Sequence, residues 1–391
     1  MLQEAYIVAA SRTAVGKSKR GGFRFTNPVD LAYYVITDLL KKVPQLDPKR
    51  VDDLLVGNAV PEAEQGLQMA RWVAIRSLPI EVPGATVNRY CGSGLETIGM
   101  ATAKIRTGMA DVVIAGGTES MSLVPTVGYK TVPDYEVARE HPEYFIGMGL
   151  TAELVSAKYK VSRQAQDEFS YNSHRKAIAA IEAGKFKDEI VPVEIEEVYY
   201  DKGQKKSRKF SVTVDEGPRK DTSIEALSAL KPVFKVGGTV TAGNSSQTSD
   251  GAAFVIVMSE RMVKELNIQP LARLVSTASV GVDPTIMGIG PVYAVPKVLK
   301  QAGLKFEDID VIELNEAFAA QSIAVMNELK LNPEITNVNG GAIALGHALG
   351  STGGRLTVQI INELKRRKKK YGLVTACIGG GQGIAGIIEN L

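Results

Sequence analysis

Two cysteines and one histidine stand out as the residues of this chain best suited to covalent chemistry. Cys91 sits in the stretch Asn88-Arg89-Tyr90-Cys91-Gly92-Ser93-Gly94. An apolar, β-prone lead-in from Ala85 precedes it, and Leu95, Ile98 and Ile105 follow at helical spacing. The pattern predicts a strand turning into a helix, with Cys91 at the helix N-terminus. Unpaired N–H groups and the helix dipole stabilise an anion there, which favours a thiolate. Gly92 and Gly94 leave room for a ligand at the backbone and free N–H groups for a developing oxyanion. A cysteine nucleophile needs a base, and His347 in Gly346-His347-Ala348-Leu349-Gly350 is of the right type. Cys377, in Cys377-Ile378-Gly379-Gly380-Gly381, is a second thiol able to move a proton, and Asn315-Glu316-Ala317-Phe318 ends a further apolar run. Taken singly, each has an ordinary reading: a small core residue for the cysteines, turn material for the histidine.

The elements that must position these groups follow from the rest of the chain. Its 391 residues exceed one ordinary core, so two or three domains are expected. A 45% hydrophobic and 23% charged composition is that of a globular protein. A net charge of +3 is too balanced for a nucleic-acid-binding surface. Two cysteines make no disulfide framework, and three scattered histidines make no metal cluster. No secretory signal and no apolar run of membrane-spanning length is evident, so the expected location is cytoplasmic.

Strands are predicted at 5–10, near 54–57, at 112–117, 254–258, 271–280, 310–314 and 373–377. Helices are predicted from Asn27-Pro28 through Leu39, over 68–75, from Cys91 to near Gly108, over 151–183 and over 353–365. Continuous apolar strands alternating with helices specify an α/β architecture around a buried sheet. Residues 120–150 lack a clean period, and 196–220 are polar and basic, the pattern of a solvated hairpin in an insertion or lid. The cationic run Lys365–Lys370 suits a helix C-terminus. Thr86-Val87-Asn88, turn, helix and strand echo Asn337-Val338-Asn339, turn, helix and strand, so the chain reads as two related halves with the central block inserted in the first.

Together and in this order, four blocks resemble the signature blocks of the thiolases over essentially the whole chain. They are Asn88–Gly94, Asn315–Phe318, Asn339-Gly340-Gly341-Ala342-Ile343-Ala344-Leu345-Gly346-His347 and Cys377–Gly381. The resemblance implies a thiolase fold, two similar α/β halves stacked in αβαβα layers with an inserted loop domain. The expected divisions are 1–119 with 248–267 for the first half, 120–247 for the loop domain and 268–391 for the second half. It implies that Cys91 takes the acyl group, activated by His347, and that Cys377 exchanges the α-proton. Asn315 (through a water) with His347 would polarise one thioester oxygen, and the N–H groups of Cys91 and Gly379 a second. It assigns coenzyme A, a substrate rather than a bound cofactor, to the central block. Arg219 would lie against the adenine and Ser246 on the pantetheine arm. Met148, Phe234, Ala242, Met287, Ala317 and Phe318 would line the pantetheine and acyl tunnel. Two departures stand out: Ala348 replaces the family's usual proline, loosening that turn, and Gln247-Thr248 replaces a smaller or apolar pair.

Gly147 stands where short-chain members commonly carry a crowding histidine, and Ile286-Met287-Gly288-Ile289-Gly290-Pro291 resembles the degradative 3-ketoacyl-CoA thiolases. The expected activity is therefore thiolytic cleavage of 3-ketoacyl-CoA in fatty-acid β-oxidation. The alternatives are a short-chain acetyl-CoA acetyltransferase and a non-catalytic acyl-CoA-binding protein. A decarboxylating condensing enzyme is disfavoured by Asn315 and Cys377 in their blocks. Expected partners are CoA and acyl-CoA, further copies of the chain in a dimer or tetramer, and a β-oxidation partner enzyme, with no nucleic acid.

Overall fold

The computed structural model describes residues 3–391. The strands are β1 (Ala5–Thr13), β2 (Gly16–Lys17), β3 (Asp53–Gly57), β4 (Gly84–Val87), β5 (Val112–Ser120), β6 (Ile190–Val191), β7 (Val193–Asp201), β8 (Gln204–Val212), β9 (Ser249–Ser259), β10 (Ala272–Gly281), β11 (Val311–Leu314), β12 (Tyr371–Ile378) and β13 (Gln382–Asn390). The central strands lack polar alternation because both faces are covered. In β9, Ala253, Val255 and Val257 enter one core while Phe254, Ile256 and Met258 enter another.

The repeat read from the sequence is a repeat of topology. The first half orders its strands β1-β9-β5-β3-β4, antiparallel over the first two contacts and parallel over the last two. The second half runs β10-β13-β12-β11 with the same senses, extended by a parallel bridge from Ile312 to Thr336. The halves join edge to edge where Ile7 pairs with Ala272, giving one 11-stranded sheet that includes β2 on β9 and β6 on β1.

Two helices, Ser93–Arg106 and Thr352–Arg367, fill the space between the halves. Leu95, Ile98, Ile105, Leu356, Val358 and Ile360 share one core with strand residues of both. Helices Pro28–Lys42 and Met69–Ser77 cover the outer face of the first half, and Gly290–Ala302 and Ala319–Leu329 that of the second. The order is helix, sheet, helix, sheet, helix. Asn27 caps its helix by accepting the Val29 N–H, and Ser162 caps Arg163–Glu182 by accepting the Ala165 N–H at 3.1 Å.

The two central helices begin in contact. A Cβ on Gly94 would lie 2.6 Å from the Gly354 nitrogen, and one on Gly353 would lie 2.2 Å from that of Leu95. Gly94 is thus required by helix–helix approach, not by a ligand as its place beside Cys91 suggests.

In the central block, β7 and β8 form the solvated hairpin. Its cations pair across the strands, Lys206 with Asp201 at 2.6 Å and Arg208 with Glu197 at 2.6 Å. The block is not wholly outside the sheet, because β6 adds to β1 beside Arg12 and Thr13. The 365–370 run closes a helix: Arg366 and Arg367 hold Glu363, and Lys369 and Lys370 reach Asp310 and Glu389. No helix among the described residues is long and apolar enough to cross a membrane.

Candidate active site

The Cys91 turn is a single 3₁₀ turn, Tyr90–Gly92, between β4 and the central helix Ser93–Arg106. Tyr90 has φ +43°, a left-handed conformation that costs energy for an aromatic residue. Side chains on either side hold it there. Asn88 Oδ1 accepts the Tyr90 N–H at 2.9 Å, while Ser93 Oγ accepts the Arg89 N–H and donates to the Tyr90 carbonyl. Gly92 does not open space for a ligand: a Cβ there would sit 2.6 Å from Ile378 Cδ1. The Cys91 thiol belongs to a half-buried residue. Burial pushes that thiol up to about 11, opposed by the N–H groups of Gly379 and of Cys91 itself. The expectation of a resting thiolate is therefore corrected. Desolvation outweighs the helix start, and the thiol needs a base.

His347 is the candidate base, and its neighbours fix its ring. Its backbone N–H is shared by Gln247 O and Ser249 Oγ, both at 3.1 Å. Its Nδ1 lies 2.6 Å from Thr352 Oγ1, and that hydroxyl donates to Ala348 O at 2.9 Å. With its proton committed, the threonine oxygen accepts from Nδ1–H, which leaves the Nε2 lone pair facing Asn315 Nδ2 at 3.4 Å. Burial pushes the imidazole down to about 3, and the Arg355 guanidinium acts in the same direction. The ring is neutral. The missing proline ring does not loosen this turn, since the N–H groups of Ser351 and Thr352 and the Thr352 hydroxyl all bond Ala348 O.

Cys377 ends β12 fully buried, and burial with the neighbouring Cys91 raises its thiol far above the ordinary range. Gly379, two residues on, lies beside the Cys91 turn, where a Cβ on it would stand 4.0 Å from Tyr90 Cδ2. Asn315 Oδ1 is buried without a partner in the protein. Beside it, the Glu316 carboxylate binds Ser173 Oγ, Asn337 Nδ2 and the Ile343 N–H, tying the second and third signature blocks to a helix of the central block.

The residues expected to hold coenzyme A fall into two groups. Arg219 and Ala242 line a cleft of about 340 Å³ with His174, Thr222, Leu227 and Gln247. Met148, Met287, Ala317 and Phe318 pack instead with Ala152, Val240 and Cys377 in an apolar cluster. Phe234 meets Phe318 edge to face at 6.1 Å, and its ring occupies the place where a side chain on Gly149 would stand. Ser246 lies between the groups, its N–H bonded to Ala317 O. Gln247 Nε2 ties Gly217 O to Ile343 and Ala344 O, so the unusual residue here is a strut between the cleft and the third block.

The thiolase N-terminal domain family matches residues 5–261 and the thiolase C-terminal domain family residues 268–390. The chain belongs to the thiolase family. It is 51% identical to a 3-ketoacyl-CoA thiolase of Bacillus subtilis (strain 168) over 390 residues, 99% of this chain and 100% of that one. Crystal structures of a Bacillus anthracis acetyl-CoA acetyltransferase (TM-score 0.90, 39% identity) and of human mitochondrial 3-ketoacyl-CoA thiolase (TM-score 0.89, 41% identity) each align over 100% of this chain and 99% of theirs. The protein is an acyltransferase of this family.

Several residues of the thiolase site escape a reading of sequence: Thr352 and Ser249 behind His347, His174 against Arg219, and Glu119 beneath the His347 turn. Only Thr352, five positions after His347, leaves a local signal.

Proposed function

We propose that this thiolase cleaves 3-ketoacyl-CoA with CoA, giving acetyl-CoA and an acyl-CoA two carbons shorter, as a step of fatty-acid β-oxidation. His347 Nε2 takes the Cys91 proton and the thiolate attacks the 3-keto carbon. The C2–C3 bond breaks, its electron pair goes to the acetyl-CoA enolate, and Cys377 returns a proton to that carbon. The acyl group stays on Cys91 as a thioester until the CoA thiolate displaces it. Charge on the carbonyl under attack falls to the N–H groups of Cys91 and Gly379. Charge on the enolate falls to His347 and to a water held by Asn315. The observation that carries this reading is the meeting of the two cysteine turns: a Cβ on Gly92 would stand 2.6 Å from Ile378 Cδ1 and one on Gly379 4.0 Å from Tyr90 Cδ2, which brings the strand end of one half onto the Cys91 turn of the other.

Coenzyme A enters and leaves as a substrate, and no permanent cofactor is needed. Its adenine lies against Arg219, its pantetheine arm passes Ala242 and Ser246, and its acyl end runs among Met148, Phe234, Met287, Ala317 and Phe318. Residues 120–247 act as the CoA-binding insertion between the first half, 1–119 with 248–267, and the second, 268–391. A cytoplasmic homo-oligomer, dimer or tetramer, working beside another β-oxidation enzyme completes the proposal. Exposed Ile75 and Ile80 support an oligomer.

Chain-length preference follows from Gly147. A Cβ there meets nothing within 4 Å, so the space a side chain would fill stays open. Each methylene buried in an apolar tunnel contributes up to about 0.8 kcal/mol. In thiolysis of 3-ketoacyl-CoAs of four to sixteen carbons at fixed CoA, kcat/KM should rise from four carbons to medium lengths. Activity confined to acetoacetyl-CoA would select the short-chain acetyltransferase instead. The Cys91→Ala variant should fold yet transfer no acyl group; retained turnover would remove Cys91 from the mechanism.

A further inference from the structure

The reacting groups belong to different halves of the molecule, Cys91 to the first and His347, Asn315 and Cys377 to the second. Their relative placement depends on what fastens the halves at the site. Three residues after His347, the Gly350 carbonyl presses on the first half, so closely that a Cβ on Gly117 would be 2.1 Å from its oxygen and one on Gly94 2.9 Å. Gly350 N–H donates to Glu119 Oε2 at 2.8 Å. That same oxygen accepts the Ala59 N–H at 2.8 Å, and Oε1 accepts Asn58 Nδ2 at 3.1 Å and Gln65 Nε2 at 2.7 Å. Glu119, on β5 of the first half, is only 1% exposed. A Cβ on Gly350 would stand 2.7 Å from Glu119 Oε2, so glycine at 350 is what lets the carboxylate reach the backbone.

The charge state follows from the partners. Both amides are oriented by other bonds: Gln65 Oε1 accepts the Ser120 N–H, and Asn58 Nδ2 also donates to Thr118 O. Every group named around the carboxyl is then a donor, and a carboxyl proton would face an N–H on either oxygen. Burial raises the Glu119 carboxyl above its ordinary range, but four N–H donors with no acceptor among them oppose that and hold the ionised form.

We propose that Glu119 is a positioning residue of the acyl-transfer reaction, fastening the turn after His347 onto the half that carries Cys91. This rests on the reading of Cys91 as nucleophile and His347 as its base. A second effect follows from the charge. Burial is the main reason the Cys91 thiol stays protonated until His347 takes the proton, and the Glu119 charge acts in the same direction. The other titratable groups around Cys91 are Cys377, Tyr90 with Tyr144 beside it, and the neutral His347 backed by Arg355.

The Glu119→Gln variant separates this role from a merely structural one. Its amide nitrogen must face two of the four donors, so part of the clamp is lost along with the charge. A misplacement of about 1 Å costs roughly 10²-fold in rate. With acetoacetyl-CoA and CoA as substrates, kcat should fall by about that factor with KM for CoA within about threefold. The pH midpoint for iodoacetamide alkylation of Cys91 should move down. A kcat within about threefold of the parent, or a lost kcat with the alkylation midpoint unmoved, overturns the proposal. Should that variant fail to fold, Glu119→Asp keeps the charge and is one methylene short. It should lose kcat while the alkylation midpoint holds, and parental turnover in it would equally overturn the proposal. Cys91→Ala in parallel keeps the two readings apart: activity there would undo the nucleophile, while the clamp is read separately by amide exchange at the Gly350 N–H, which Glu119→Gln should speed and whose unchanged rate would overturn the clamp.

Discussion

His347, the proposed base, owes its tautomer to one hydroxyl. Thr352 Oγ1 gives its proton to Ala348 O and so must accept from Nδ1–H, which presents Nε2 to the site. Thr352→Val keeps the shape and removes the acceptor, leaving a buried N–H unpaired at a cost of about 1–3 kcal/mol. We expect kcat to fall by about 10–10²-fold with KM for CoA unchanged, and Thr352→Ser to restore most of it. Steady-state thiolysis checks this, and full activity in the valine variant would refute the tautomer assignment. His174 supplies a second residue-scale prediction. Its Nδ1 accepts the Arg219 N–H at 3.1 Å, and burial lowers the imidazole to about 4, with Arg219 and Lys17 adding to the effect. Between the ordinary histidine value of 6.5 and about 4, the unfolded chain binds a proton that the folded chain does not. Stability from this group is therefore present above pH 6.5 and lost as pH falls toward 4. His174→Asn keeps an acceptor for Arg219 without a titrating ring. Its Tm should gain on the parent as pH drops from 7 to 4.5, and parallel Tm curves would refute this.

The turn after His347 shows what an element can absorb. Ala348 stands at φ −77°, close to the value proline imposes, and its carbonyl alone collects three hydrogen bonds. Among the described residues its N–H donates no hydrogen bond, so a ring there would sacrifice none. Ala348→Pro should stabilise the protein by about 0.4–1 kcal/mol through the unfolded chain. Tm should rise by about 1–2 °C with activity within about twofold. A lower Tm would show that the ring collides with the buried surroundings. The Cys91 turn is the opposite case, since the left-handed Tyr90 is a cost that Asn88 and Ser93 hold in place.

At the scale of the molecule, one buried ion cluster joins parts far apart in the chain. Arg12 on β1 holds Asp215 through both terminal nitrogens at 2.7 and 2.9 Å, and Glu189 through Nε at 2.8 Å. Asp215 also accepts the Val15 N–H, and Glu189 takes Asn362 Nδ2 from the central helix. Burial works against the guanidinium charge, and the two carboxylates more than compensate. Arg12→Met would leave both carboxylates buried and unpaired, at a cost of about 3–5 kcal/mol. Urea unfolding should register that loss, and limited proteolysis should cut within 120–247 before the halves unfold. Unchanged cleavage would mean that the cluster does not hold the central block.

Much of this is legible in the amino-acid sequence. Apolar runs without alternation specify strands covered on both faces, as β9 is, because the side-chain period of a strand leaves no polar face to expose. Ser162 announces its helix through its own hydroxyl, and the repeat of turn, helix and strand survives as two halves of one sheet with the same strand order. The blocks around Cys91, Asn315, His347 and Cys377 identify a thiolase by residue type and order alone. What the sequence could not decide is the state of those groups. The Cys91 thiol is raised rather than lowered, Gly92 and Gly94 serve packing with Ile378 and Gly354, and His347 owes its tautomer to Thr352. Propensity and period act over a few residues, whereas desolvation and the identity of a buried partner depend on segments that meet only in the folded chain. Glu119 and Gly350 are 231 positions apart and bond at 2.8 Å, a contact that tertiary packing alone creates.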